Sequence, residues 1–367
     1  MERCAANIDL DRLTNNYSIL GSIGSHSYKV MAVVKANAYG HGSIHVSKHL
    51  ESFGCQQFGV ASLEEAIELR ENKIHSMILI FGRTNPSEAK KLSINQITQT
   101  VDSLEYAKEL SALNYPLEVH INIDTGMSRF GIYCHREENI PIVAEQIKEI
   151  VSMPNLKITG IYTHFEGAEN EDRNHTEKQF NVFTKLLSEL EKRKIKVGVK
   201  HACNSSATIN FPEMHLDMVR CGIALYGYPP VKTRLKFQPV MEVVSKVVAI
   251  HDLTPGDTVS YGAKFTATKN TRVATVAIGY ADGYPRAMTN NDYVLFKDIK
   301  LPVIGSVCMD AIMVDISNVE IEIGEEVIIF GREKTVEIIA QKLGTISYEI
   351  LCNVGKRVDR IYIKMPL

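Results

Sequence analysis

One rhythm constrains the fold of this chain more than any other feature. Eight short apolar runs recur before residue 224: 28–36 (YKVMAVVKA), 56–62 (QQFGVAS), 77–82 (MILIFG), 97–101 (ITQTV), 117–124 (LEVHINID), 158–165 (ITGIYTHF), 197–203 (VGVKHAC) and 217–223 (DMVRCGI). Amphipathic stretches such as SLEEAIELREN and EKQFNVFTKLLSELEKRK lie between most of them. Continuous Val/Ile-rich strands alternating with helices predict a parallel sheet covered on both faces. Eight such units match the usual size of a (β/α)8 barrel. The rival is an open doubly wound sheet, but no GxGxxG follows the first run. After LYGYPP (225–230) the texture changes to strand-like segments separated by turn residues. An α/β fold is therefore expected, with a TIM-type barrel over 1–230 and a mostly β domain over 231–367. In the second domain only KTVEIIAQKLGT (334–345) reads as clearly helical. The first residues are compatible with either unit.

The net charge of −2 gives no reason to expect nucleic acid or an acidic membrane as partner. No stretch is apolar and long enough to span a bilayer. The seven cysteines are scattered without a CxxC pair, which suits a reducing cytosol rather than a disulfide framework or a zinc site. A cytoplasmic location is expected, and a catalytic domain cut from a longer membrane-anchored protein fits the same features.

In a (β/α)8 barrel, functional groups gather where the strands end. Lys35 ends the first run, an expensive place for an ammonium unless it has a task. Arg129 follows the fifth, His164 ends the sixth, Asn204 and Ser205 follow the seventh, and Arg220 ends the eighth, just before Gly222 and Ile223. Loops after the last two strands often bind phosphate. Ser205 and the backbone N–H groups of Gly222 and Ile223 suit that task. A lysine, a phosphate cradle and an arginine at one barrel mouth point to pyridoxal phosphate held as a Schiff base. Taken singly, each residue has a plainer reading: Lys35 as an ion-pair partner, His164 as a packed histidine, Arg220 as a structural cation. His41, His45 and His49 form a stripe at helical spacing, but no glutamate base accompanies them, so a plain helix face is preferred to a metal site. Cys308 and Cys352 read as buried thiols rather than nucleophiles.

The segments AVVKANAYGHG, INIDTGMSRFG, YTHF, HACNSSAT, MVRCGIALYG, VSYGAKF, IGYADGYPR, GSVCMD and ISYE, in this order over nearly the whole chain, resemble the alanine racemase family of pyridoxal-phosphate enzymes. The resemblance implies a barrel, a C-terminal β domain, and a homodimer in which each site is completed by the partner's C-terminal domain. Lys35 then matches the lysine that bonds the cofactor and serves as one base, and Tyr261 the opposed base from the other subunit. Tyr39, Tyr348, Ser205, Gly222 and Ile223 match contacts to the cofactor phosphate, with Asn204 beside them. Arg220 matches the arginine at the pyridine nitrogen, and His164 the neighbour that supports it. Arg129 and the Met309 backbone match contacts to the substrate carboxylate. Tyr280 and Asp310 match positions at the entrance and behind it. Many members carry a carbamylated lysine where this chain has Asn122, so a small anion such as chloride near Asn122 and Arg129 is expected instead.

The activity so implied is racemisation of alanine by two bases on opposite faces of Cα. Serine racemisation is the alternative within the same chemistry, and a non-catalytic cofactor carrier the alternative of another class. A decarboxylase is disfavoured because Arg220 stands where that chemistry wants an acid. A metal-dependent barrel enzyme is the most distant reading.

Overall fold

The structure, a computed structural model, describes residues 3–24 and 26–364. Each of the eight apolar runs contains a strand: β2 (Lys29–Val33), β3 (Gln57–Val60), β4 (Met77–Ile80), β5 (Thr98–Val101), β6 (Leu117–Asp124), β8 (Leu156–Tyr162), β9 (Val199–His201) and β10 (Met218–Cys221). Neighbours pair in parallel in the order β5-β4-β3-β2-β10-β9-β8-β6, and β5 pairs with β6 to close the ring. Helices such as Leu63–Glu71, Ile140–Val151 and Asn174–Lys192 cover the outside and bury Leu69, Ile147 and Phe183 against it. A ring of parallel strands has no open edge, and apolar residues on both faces of strands such as β2 and β4 explain the near-continuous apolar runs there. The two-residue β7 (Ile132–Tyr133) adds to the top of β6 and holds the loop that carries Arg129.

The C-terminal part is a mostly antiparallel sheet built on one long strand, β11 (Met241–Leu253). It pairs with β14 (Thr271–Val276) and β18 (Glu326–Phe330), and β17 (Ile312–Asp315) adds to β14. The hairpin of β15 (Tyr293–Phe296) and β16 (Ile299–Pro302) extends one side, and β12 (Thr258–Val259) pairs with β13 (Phe265–Thr266) as a separate two-stranded sheet. The chain's first strand, β1 (Cys4–Asp9), lies in this sheet, between β11 and β19 (Asp359–Ile363). Among the described residues two α-helices stand here rather than one: Val336–Leu343 and Ser347–Cys352. The second is only six residues long, too short to show helical periodicity in the sequence.

Asp292 anchors this domain. It accepts hydrogen bonds from Lys334 Nζ (2.7 Å) and Tyr284 Oη (2.7 Å), and Lys342 Nζ lies 3.2 Å from its other oxygen. The side chains of Asp292 and Lys334 are wholly buried. Removing one member of a buried pair strands the other charge. Asp292→Asn should therefore lower the unfolding free energy by about 3–5 kcal/mol, read from urea denaturation.

Candidate active site at the barrel mouth

Lys35 follows β2 by two residues and begins an unusual turn. Ala36, Asn37, Ala38 and Tyr39 all have φ of 52–53°. Four consecutive left-handed residues cost about 1–2 kcal/mol each. The turn is held by several hydrogen bonds: Ala38 N–H to Val34 O (2.8 Å), Gly40 N–H to Ala36 O (3.0 Å), and Ser43 N–H to Asn37 Oδ1 (2.9 Å). Gly40 ends it at φ 83°, where a Cβ would collide with the Leu351 carbonyl. The buried Tyr39 ring packs on Tyr226, with centroids 5.0 Å apart, and on Tyr348 at 5.9 Å. Backbone strain of this kind persists only where the surroundings over-determine it. Here it fixes where Lys35 points.

Lys35 lines a cavity of about 640 Å³. Tyr39, His164, Asn204, Ser205, Arg220, Gly222, Ile223, Tyr348, Asn122 and Arg129 line it too. Burial, then the nearby Arg129 cation, lowers the Lys35 amine from its usual range. Arg129 itself is exposed, rides over the Phe130 ring, and has no carboxylate partner among the described residues. Asp124 shapes its loop by accepting from Gly126 N–H (3.0 Å) and Ser128 N–H (3.1 Å).

Arg220 is buried and faces no carboxylate among the described residues. Its Nη1 donates to His201 Nδ1 (2.9 Å), and its Nη2 to the carbonyls of Thr163 (2.8 Å) and Ala202 (2.9 Å). Two N–H bonds exhaust Nη2, so His164 Nδ1, at 3.3 Å, is a lesser contact. The support expected from His164 thus comes chiefly from His201. Because a guanidinium only donates, His201 Nδ1 must be bare and its proton must sit on Nε2. That proton is donated to His120 Nδ1 at 2.9 Å. Gly160 makes room for this, since a Cβ there would strike the His120 ring. Burial and the Arg220 charge depress both imidazoles, His120 to about 3, so both are neutral. Burial lowers Arg220 to about 10, which leaves it charged at neutral pH.

The expected phosphate contacts cluster opposite. Ser205 Oγ accepts from Gly222 N–H (2.9 Å), and a Cβ at Gly222 would collide with the Tyr39 hydroxyl. Only glycine leaves that space among Tyr39, Ser205 and Tyr348. Asn204 caps the following helical turn through Ala207 N–H and ties it to Phe165 O through Nδ2. Asn122 Nδ2 donates to Phe130 O (3.0 Å), and its Oδ1 has no hydrogen-bond partner among the described residues.

Tyr261, Met309, Tyr280 and Asp310 do not line this cavity. They lie on the C-terminal domain, with Tyr261 76%, Met309 51% and Tyr280 42% exposed and Asp310 also exposed. Their backbone is fixed nonetheless. Ser306 Oγ donates to Tyr261 O (2.7 Å), Tyr280 N–H to Cys308 O, and Ala281 N–H to Met309 O. The buried Asp282 carboxylate pairs with Arg3 (3.2 Å) and Arg357 (3.3 Å), and Arg357 also pairs with Asp310 (2.6 Å).

The histidine stripe disperses. His41 precedes the helix Ser43–Phe53, His45 stacks on Tyr362, and His49 bonds Thr14. Cys308 is half-buried, but Cys352 is exposed, contrary to expectation, because it ends a short helix at the rim of the cavity. Sequence reasoning missed His201 and His120. Their signal was a histidine inside a strand run, and, on the neighbouring strand, a glycine that leaves room for the His120 ring.

Residues 8–230 match the family model for the alanine racemase N-terminal domain, and residues 240–362 the model for its C-terminal domain. The chain is 41% identical to an alanine racemase of Methanococcus maripaludis, over 98% of both chains. Its fold matches an alanine racemase structure from Clostridium difficile 630 with a TM-score of 0.93 at 38% identity, covering 99% of this chain and 96% of that one. It also matches an alanine racemase from Bartonella henselae solved with covalently bound pyridoxal phosphate, with a TM-score of 0.88 at 29% identity, covering 98% and 99%.

The buried neutral histidines set an acid limit. His41 is held near 4 and His120 near 3. Unfolded histidine titrates near ~6.5, so the unfolded state binds more protons as pH falls below that value. Stability present at pH 7 should decline by about 2 kcal/mol per histidine by ~pH 5. Urea melts across this range check it, and a flat profile contradicts it.

Proposed function

The chain belongs to the alanine racemase family, and from that premise we propose that the cavity at Lys35 is the active site of a pyridoxal-phosphate-dependent racemase that interconverts L- and D-alanine. One observation carries the reading: a single chain gathers Lys35, Arg129, Arg220 and the hydroxyl cradle in one cavity, yet leaves Tyr261, Met309, Tyr280 and Asp310 exposed outside it. That division suits a homodimer in which Tyr261 of the partner subunit enters the cavity opposite Lys35.

The residues present fit the cofactor. Lys35 Nζ would hold its aldehyde carbon. The hydroxyls of Tyr39, Ser205 and Tyr348 and the N–H of Ile223 would receive its phosphate in the space that Gly222 leaves, while the Gly222 N–H, already donated to Ser205 Oγ, would hold that hydroxyl in place. Arg220 would face its ring nitrogen as a donor only. When bound, pyridoxal phosphate supplies the electron sink that makes the substrate Cα–H acidic.

The protein's own groups do the rest. Arg129 orients the substrate carboxylate, and the backbone at Met309 of the partner subunit joins it. Lys35 Nζ exchanges a proton with Cα on one face, and the Tyr261 Oη of the partner subunit exchanges one on the other. Two fixed bases serve both faces without either having to move. Arg129 and Arg220 line the cavity that this phenol would enter. With the cofactor bound, the charge of Arg220 would disfavour a proton on the ring nitrogen. A small anion beside Arg129 is proposed to balance that uncompensated cation. Asn122 Nδ2 is engaged by Phe130 O, so Arg129 would bear most of the contact.

Gly222→Ala fills the phosphate space. It should weaken pyridoxal phosphate uptake tenfold or more, measured by absorbance titration. The shared site is tested by mixing. Lys35→Ala and Tyr261→Phe homodimers should each retain on the order of one per cent of alanine racemisation or less. Co-refolded mixtures should recover about a quarter of parental activity, because half the dimers then hold one intact site. L-Serine assayed alongside should turn over at least tenfold more slowly than L-alanine. No recovery on mixing would refute the shared site.

A further inference from the structure

Ser62 to Glu65 spells a capping box at the start of the helix Leu63–Glu71, and the Ser62 side chain does accept from Glu65 N–H. In that motif the glutamate normally turns back to the backbone N–H of its own cap residue. Here it does not. Its Oε1 accepts from Ala36 N–H at 2.7 Å and its Oε2 from Ala61 N–H at 2.7 Å. One carboxylate thereby ties the end of β3 to the first residue of the left-handed turn after Lys35. The turn has taken the Ala36 amide out of the barrel's hydrogen-bond ladder, and Glu65 gives it an acceptor.

The same carboxylate matters electrostatically. Lys35 is influenced by Glu65 from this helix, Arg129 from the loop after β6, Cys352 from the helix Ser347–Cys352, and His164 from the end of β8. Among these groups Glu65 is the one carboxylate. Burial and Arg129 drive the amine toward its neutral form, and Glu65 opposes them. An amine that must both hold and release a proton works best when its affinity is balanced in this way.

We propose that Glu65 is the positioning residue of Lys35: its two oxygens fix the backbone turn that aims the amine, and its negative charge faces that amine. The proposal rests on the reading of Lys35 as the reactive amine. A residue that merely capped its helix would hold neither Ala36 nor the titration of Lys35.

The test labels the Lys35 amine competitively with acetic anhydride across pH in the full chain prepared without pyridoxal phosphate, read by mass spectrometry. In Glu65→Gln, which removes the charge at equal size, the labelling midpoint should fall by roughly 0.5 pH unit or more. In Glu65→Asp, which keeps the charge and shortens the reach, the midpoint should hold, while deuterium exchange at the Ala36 amide rises about tenfold or more. Glu68→Gln, on the same helix and bonded to Ser43, should change neither readout. An unmoved midpoint in Glu65→Gln, or an Ala36 amide still fully protected in Glu65→Asp, overturns the proposal. Neither readout needs the cofactor. A chain that failed to take up pyridoxal phosphate would refute the active-site reading and leave this result standing.

Discussion

A guanidinium buried without a carboxylate organises the mouth of this barrel. Arg220 is satisfied by two backbone carbonyls and an imidazole, all of them dipoles. An isolated charge in such a place would be prohibitively expensive, and a paired one would have its outward charge cancelled. Bonding it to neutral acceptors keeps it both tolerable and electrically active toward the cavity. The arrangement works only if His201 stays neutral, and His201 stays neutral because it is buried beside that cation and donates onward to His120. The ends of β8, β9 and β10 are locked together by this one side chain, and with them His164, Asn204 and Gly222.

Across the cavity the constraint is backbone strain rather than charge. The left-handed turn after Lys35 is stabilised by Gly40, by the packing of Tyr39 on Tyr226 and by the acceptors around it. Gly40 also brings the C-terminal domain close, since it lies against Leu351 in the helix that carries Tyr348 and Cys352. The first strand reinforces that junction by pairing with β11 and β19. The two parts of the chain are therefore fastened on one side of the cavity, while the plate bearing Tyr261 and Met309 is stiffened by Asp282, Arg3 and Arg357 and left facing outward.

The barrel was legible because period and length gave the same answer: eight buried runs, helical stretches between them, and polar residues at strand ends. Lys35, Arg129 and Arg220 stood out because a charge at the end of an apolar run demands an explanation. His201 and His120 did not, because a histidine within a strand has no local pattern that marks its partner, and their sequence separation of 81 closes only through the barrel. Glu65 was hidden for the opposite reason: its local pattern is a good capping box, and its actual partners are set by tertiary structure. The six-residue helix Ser347–Cys352 was too short to announce itself, so the exposure of Cys352 at the cavity rim could not be foreseen.

The central claim is the direction of the hydrogen-bond chain from Arg220 through His201 to His120. Nitrogen-15 NMR of histidine-labelled protein at neutral pH tests it most directly. Both imidazoles should be neutral, each with a bare Nδ1 and a protonated Nε2. A His201 found as imidazolium, or protonated at Nδ1, would contradict the account of how Arg220 is held.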